Sequence, residues 1–470
     1  MRHLVIVAAV AATLRVCGPV SQAPSPPAAG FIRVSAGGPE DAPLSRCLND
    51  PGGTVRMEVE PQAAVDPSDP DHLVAAWIVN AHSSGAIQAA ASFDGGLTWA
   101  PPHTLPFNAC AGGPFDFLPR TSDPWVAFGP DGRVYVSAIA FQPTSGADAA
   151  GAVIVVASAN GGHTWEAPGV ATLTRTPDFV HDNTAIAADP RRPGTAYVLT
   201  TRYEGPDQTV APAALSRTTD GGRTWSPIRP ISPRTPGSPR ADAPQMVIDP
   251  RTGTLFVFYT HGPLGSSMSV LRSEDGGESW SPPVPVIRGM PLRVRTTTFP
   301  GTDKEVRIAP DIGHAAIDPR TGRLWAVLAN GQLTGGVALQ VGLVTSADGG
   351  RSWSAPFRVS DSSVPASWRP ALAVDARSRV AVSYLSPAPG EPAHGSALPV
   401  SVHLATLRIR REGSLTRERD AVIDSFSWTP SPRGAYFLGD YNPLLAGRHG
   451  FLPIYGRSTE GGGSRIVLAR

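Results

Sequence analysis

One eight-residue phrase is written five times along this 470-residue chain. Ser92-Phe93-Asp94-Gly95-Gly96-Leu97-Thr98-Trp99 is the first copy. Ser158 to Trp165, with Asn160 in the Asp place, is the second, and Thr218 to Trp225, Ser273 to Trp280 and Ser346 to Trp353 follow. Recurrence at a period of tens of residues predicts one supersecondary unit stacked many times. Asp-Gly-Gly between apolar runs is a tight hairpin turn, in which glycine takes the positive φ angles. The Asp carboxylate accepts from the turn's own N–H groups, and the leading Ser or Thr hydroxyl adds another bond. The closing Trp offers a large apolar face to wedge between neighbouring units. The phrase therefore reads as scaffold. Five Asp residues in five separate units do not make one catalytic group.

A second repeat runs beside the first. Ala63 to Pro67 leads to Leu73 to Trp77, Val126 to Gly129 to Val134 to Val136, and Ala185 to Pro190 to Ala196 to Val198. Met246 to Pro250 leads to Leu255 to Tyr259, Ala315 to Pro319 to Leu324 to Ala326, and Ala371 to Asp375 to Val380 to Tyr384. Several of these strands are apolar at every position, which suits strands buried on both faces. Each unit thus reads strand, turn, strand, loop, strand, octapeptide, strand: four antiparallel strands around a centre, a propeller blade. The sixth unit lacks the octapeptide, and the charged stretch Arg410 to Arg419 holds its place. The tail supplies a seventh. Tyr436 to Tyr441 is expected as its inner strand, with Gly450 to Tyr455 and Arg465 to Ala469 beside it. Phe31 to Ser35, similar to Phe357 to Ser360, is expected to add the fourth strand, and joining the two termini removes open sheet edges. The fold class is all-β, a seven-bladed β-propeller with a six-bladed ring as the alternative.

The octapeptide resembles the Asp-box of the bacterial neuraminidase repeat, Ser/Thr-x-Asp-x-Gly-x-Ser/Thr-Trp. Ser92 to Trp99 and Ser346 to Trp353 meet it residue by residue. The resemblance implies a β-propeller of the sialidase-like superfamily, with the boxes joining the two outer strands of a blade on the face away from the active site.

Composition agrees with a turn-rich β fold: 50 Pro and 49 Gly are too many for a helical protein. A formal charge of +1 gives no electrostatic case for nucleic acid or anionic membranes. Arg2 and His3 before the short apolar run Leu4 to Leu14 read as an export signal ending near Ala23. The alternative is lipidation at Cys17. Residues 24–30 read as a Pro/Ala tether and 31–470 as a single propeller. No later segment is apolar enough to span a membrane. Cys47 and Cys110 are an even pair in an exported chain, expected to form a disulfide.

In a propeller, the loops entering the inner strands converge on one mouth. Here Glu60 precedes the first inner strand, Arg120 and Asp123 the second, His181 and Asp182 the third, and Arg240 and Asp242 the fourth. Asp311 and His314 precede the fifth, Trp368 and Arg369 the sixth, and Asp440 and Tyr441 lie in the seventh. Ionisable groups that converge in a concave place are a functional-site hypothesis. The other reading of each residue is turn and capping chemistry. Cys47 and Cys110 fall in loops of this same face.

The resemblance to sialidases implies three arginines that grip a carboxylate, a tyrosine nucleophile with a glutamate, and an aspartic acid/base. The family's first arginine sits in a Phe/Tyr-Arg-Ile-Pro phrase, and this chain has Val59-Glu60-Pro61-Gln62 there. Arg120, Arg240 and Arg369 are the alternative triad, and Tyr441 beside Asp440 the candidate nucleophile pair. Carboxylates outnumber arginines in the mouth. That repels a sialic acid and favours a cation such as Ca²⁺ held by oxygen ligands, or a neutral sugar cleaved by a carboxylate pair drawn from Asp182, Asp242 and Asp311. Asp66-Pro67-Ser68-Asp69-Pro70-Asp71 reads as a polar hairpin, with a metal loop as its alternative. No cofactor is demanded. The expected partner is a glycan or glycoprotein, the expected state a monomer, and the expected activity that of an exported glycoside hydrolase. The alternative is a noncatalytic glycan- or protein-binding module.

Overall fold

The computed structural model describes residues 30–35, 56–80, 85–142, 150–176, 179–205, 208–234, 240–262, 266–289, 296–299, 302–309, 312–388, 396–410, 414–431 and 434–470. The expected signal segment 1–23, residues 24–29 of the expected tether, Cys47, the Cys110 side chain and Asp311 lie outside them, and so does the expected disulfide.

Seven four-stranded antiparallel sheets form the blades of a closed ring. Their inner strands are Met57–Val65, Arg120–Phe128, Phe179–Ala188, Asp242–Ile248, His314–Ile317, Trp368–Val374 and Leu444–Gly447, in blade order. The ring closes as expected. Phe31–Arg33 pairs antiparallel with Val467–Ala469, so the first described strand is the outer strand of the last blade. Ser464 Oγ of that blade donates to the Glu58 carbonyl at 2.8 Å, which ties blade 7 to the inner strand of blade 1.

One expectation is corrected. Tyr436–Tyr441 is not the seventh inner strand, which is Leu444–Gly447. Gly439 has a φ of 92°, and a Cβ there would fall 2.5 Å from the Glu60 nitrogen. The segment is a close-packed loop pressed against blade 1 rather than a pleated strand. An insertion unlike any blade strand also appears. Thr296–Thr298 and Glu305–Arg307 form a two-stranded hairpin between blades 4 and 5, and Val306 bridges to Tyr436.

The octapeptides are the turns expected of them. In the third, Thr224 donates to Asp220 from its backbone N at 3.0 Å and from its hydroxyl at 2.6 Å, and Thr218 Oγ1 donates at 2.8 Å. These bonds, that from the Thr224 hydroxyl first, hold the Asp220 carboxyl down at about 2. Asn160 reproduces the geometry in the second copy: its Oδ1 accepts from Thr164 N at 2.9 Å, and its Nδ2 donates to Thr164 Oγ1 at 2.9 Å. Each Trp then leans on the apolar seam between its own blade and the preceding one. Trp99 packs on the blade 7–1 seam, Trp165 on 1–2, Trp225 on 2–3, Trp280 on 3–4 and Trp353 on 4–5. Polar clasps follow the same seams: Arg133 Nη1 donates to Gly221 O at 3.2 Å, and Arg217 Nη1 to Gly276 O at 3.3 Å.

The Asp66–Asp71 segment is a hairpin whose carboxylates already have partners. Asp66 accepts from Ser68 N at 2.8 Å, Asp69 from Asp71 N at 3.1 Å, and Asp71 from Arg448 Nε at 2.6 Å.

Candidate functional site

Five of the seven inner strands carry the same fault in their ladders. Register slips between Val59 and Gln62, Ser122 and Trp125, Asp182 and Thr184, Asp242 and Gln245, and Trp368 and Ala371. Inside each slip one non-glycine residue sits in the left-handed region: Glu60 (φ 53°), Asp123 (54°), Asn183 (54°), Ala243 (45°) and Arg369 (48°). In four of the five the next residue is proline: Pro61, Pro124, Pro244 and Pro370. Proline has no N–H to give to a ladder, so a broken ladder tolerates it. A bulge bends the strand and re-aims a side chain. A non-glycine residue held left-handed costs on the order of 1–3 kcal/mol and persists only when its surroundings over-determine it. Threonine hydroxyls capture carbonyls beside the breaks: Thr184 Oγ1 donates to Asp123 O at 2.6 Å, and Thr260 Oγ1 to Asp242 O at 3.1 Å.

The breaks aim carboxylates at one cavity of about 500 Å³ at the mouth. Glu60, Asp123, His181, Asp182, Arg240, Asp242 and Asp440 line it, as the topology leads one to expect. So do residues that the sequence did not single out, among them Phe179, Asn183, Tyr203, Arg307 and Phe437. Arg120 is exposed at the start of its strand and is not among the lining residues. Trp368 is buried in the seam of blades 6 and 7. Arg369 is buried behind the wall, its Nη2 donating to Arg307 O at 3.0 Å and its guanidinium over the Trp428 ring. Only Arg240 of the three candidate arginines therefore reaches the cavity. Tyr441 and His314 lie beneath it, both packed on Trp125. The Tyr441 hydroxyl donates to Pro124 O at 3.3 Å. Burial, with the surrounding carboxylates, pushes its phenol well above the usual value.

The electrostatics of the lining divide into two halves. On one side charges are paired. Arg307 Nε donates to Asp440 at 2.7 Å, its Nη2 closes the fork, and the guanidinium stacks on Phe437. Arg240 lies 3.5 Å from Asp242 and over the Tyr203 ring, while the Tyr203 hydroxyl donates to Asp242 at 2.9 Å. On the other side Glu60, Asp123 and Asp182 face one another, with no ion pair to any of them among the described residues. Burial first, and then Asp123 and Asp440, raise Glu60 well above the usual carboxylate range. Burial and Asp182 do the same for Asp123, and burial raises Asp182 against the backbone N–H of Asn183, 3.1 Å away. Asp123 and Asp182 lie close enough for each to change the other's titration, so the two take up protons as a pair. Burial pushes the imidazoles of His181 and His314 down to about 4, so both are neutral. Among the described residues no group of three or more His, Cys, Asp or Glu side chains is arranged to hold a metal ion. No helix among them is long and apolar enough to cross a membrane.

Comparison with known proteins matches residues 64–291 to the BNR repeat-like domain family. No curated protein matches. Solved structures with a similar course include a protein of unknown function from Dyadobacter fermentans, 14% identical, covering 89% of this chain and 99% of its own, with a TM-score of 0.43. The NanB sialidase of Streptococcus pneumoniae is 11% identical and covers 89% and 68%, with a TM-score of 0.43. The α-L-arabinanase of Penicillium chrysogenum is 12% identical and covers 93% and 96%, with a TM-score of 0.44. By its five octapeptides, the matched repeat domain and the closed ring of four-stranded sheets, the chain is a seven-bladed BNR/Asp-box β-propeller.

Proposed function

We propose that the mouth is a glycan site and that the protein is an exported glycoside hydrolase acting on sugars without a negative charge. The observation that carries this reading is the pair of buried carboxyls, Asp123 and Asp182, lining a cavity of about 500 Å³, with burial raising both above the usual carboxylate range. A carboxyl that holds its proton above the usual carboxylate range is what a general acid at a glycosidic oxygen requires. Asp242, oriented by Tyr203 and Arg240 on the adjoining wall, is the second carboxylate, as base or nucleophile. Among the described residues the arginines of the lining are Arg240 and Arg307, each already set against a carboxylate of its own, and Glu60 stands where the sialidase phrase has its first arginine. The apolar run behind Arg2 and His3 supports export.

The alternative is a noncatalytic glycan- or protein-binding propeller. Glu60 favours it, because a buried carboxyl that lines the cavity with an unpaired Oε2 is a binding group that the hydrolytic roles do not use. One screen separates the two. Purified protein is assayed against fluorogenic neutral glycosides and sialosides, beside Asp182→Asn and Asp242→Asn. We expect turnover of a neutral glycoside that each substitution lowers at least about a hundredfold. Glycan binding without turnover supports the module instead, and sialoside turnover refutes both the acid assignment and the charge argument.

A further inference from the structure

Glu60 is the lining group that the proposed chemistry leaves without work. It is 96% buried by its 4% exposure, it lines the cavity, and its Oε2 has no hydrogen-bond partner. A buried carboxyl oxygen without a partner costs more than an ordinary hydrogen bond returns, and a cationic donor beside it draws the carboxyl from the acid form that its neighbours impose back to the carboxylate. Evolution of a scaffold alone would favour glutamine or an apolar side chain there. Asp123 and Asp182 face the same space and likewise have no cationic partner among the described residues, while both arginines of the lining are already committed to Asp440 and Asp242. Arg307 and Arg369 lie near enough to act on Glu60 through space, yet its Oε2 keeps no hydrogen-bond partner, which leaves it open to a donor from a ligand.

We propose that this donor is the ammonium of the ligand, and that the glycan carries a free amino group seated on Glu60 with Asp123 and Asp182 beside it. The inference rests on the reading of the mouth as a glycan site. A divalent ion is the lesser fit, because it needs several oxygens converging at about 2.3–2.6 Å, and the acids here are not gathered in that way. An ammonium has three donors and accepts a looser cage. A cavity of about 500 Å³ suits a sugar rather than a segment of folded protein. Phe179 and Phe437 supply the apolar wall that a sugar ring packs on.

The test is calorimetric binding of methyl glucosaminide, its N-acetyl counterpart, Nα-acetyl-lysine amide and CaCl₂ to the purified protein and to Glu60→Gln. We expect the free amine to bind about tenfold to a hundredfold more tightly than the N-acetyl sugar, the range of one charge-assisted hydrogen bond. That preference should vanish in Glu60→Gln. Equal affinity for amine and N-acetyl sugar overturns the proposal, as does Ca²⁺ binding that displaces the amine, or lysine amide binding as tightly as the amino sugar. Should Glu60→Gln fail to fold, the wild-type preference decides alone. Because the readout is binding, an amine preference without turnover keeps this inference and removes the hydrolase. Turnover of neutral glycosides with no amine preference does the reverse.

Discussion

If the octapeptide tryptophans are wedges rather than binding groups, removing one must cost stability and leave the mouth untouched. Trp225 is the best case. It is part-buried against the seam of blades 2 and 3, where Tyr135, Val153, Ala171 and Val198 lie, and its Nε1 donates to Gly222 O at 3.1 Å. The fit is tight: a Cβ on Gly169, at the start of the outer strand of blade 2, would fall 2.0 Å from Gly222 O and 2.9 Å from Trp225 Nε1. Full burial of an aromatic ring makes truncation to alanine cost about 3–5 kcal/mol. Part burial lowers that to about 2, and the lost hydrogen bond adds about 1. Unfolding entropy of about 2.1 cal/mol/K per residue over roughly 440 residues gives about 0.9 kcal/mol/K. Trp225→Ala should therefore lower Tm by about 3 °C, and Trp225→Phe, which keeps most of the ring, by about 1 °C. Calorimetry at a fixed scan rate reads this even if unfolding is irreversible. Ligand affinity at the mouth should not move, because the octapeptides join the strands at the end opposite the cavity. An unchanged Tm, or a changed affinity at the mouth with Tm intact, would refute the scaffold assignment.

Two further predictions concern carboxylates with opposite shifts. Raised carboxyls contribute stability that is present below the unfolded value of about 4 and is lost as pH rises through the folded value, so Glu60, Asp123 and Asp182 should make the ring less stable at higher pH. His181 and His314, depressed to about 4, act in the other direction but only below about 6.5; from about pH 4 upward wild-type Tm should carry a falling contribution from the raised carboxyls that Asp123→Asn reduces, and a variant whose profile falls more steeply contradicts the raised carboxyl pair. At the third octapeptide, Asp220→Asn should lie within about 0.5 kcal/mol of wild type in urea unfolding while Asp220→Ala loses about 1–2 kcal/mol, because Asn160 already makes the equivalent bonds in the second copy; equal losses for the two would mean that charge, not acceptor geometry, holds the turn.

The architecture was legible because the chain repeats itself and each repeat is locally complete: a turn that satisfies its own donors, a Trp for the seam, two apolar strands. Closure by Phe31–Arg33 was legible for the same reason, since a six-and-three-quarter ring leaves one strand to find. What failed was local pattern without local structure. Tyr436–Tyr441 has the apolar look of a strand, but Gly439 packs onto the backbone of Glu60, a contact 379 positions away in the chain that periodicity does not see. The mouth divides along the same line. Its acids sit where the topology puts them, so their place could be read. Tyr203, at the far end of a second strand, and Arg307, on an inserted hairpin, reach the cavity only through tertiary packing, and no spacing announces the fork that Arg307 makes with Asp440. One signal was nonetheless present. A proline inside a central strand is ordinarily a reason to doubt the strand, since it cannot donate to the ladder. Glu60-Pro61, Asp123-Pro124, Ala243-Pro244 and Arg369-Pro370 place it four times in the same part of the unit. Four identical faults in a repeat are not four weak strands. They mark where the ladder is meant to break, and the residue before each proline is the one that the break turns out of the ladder.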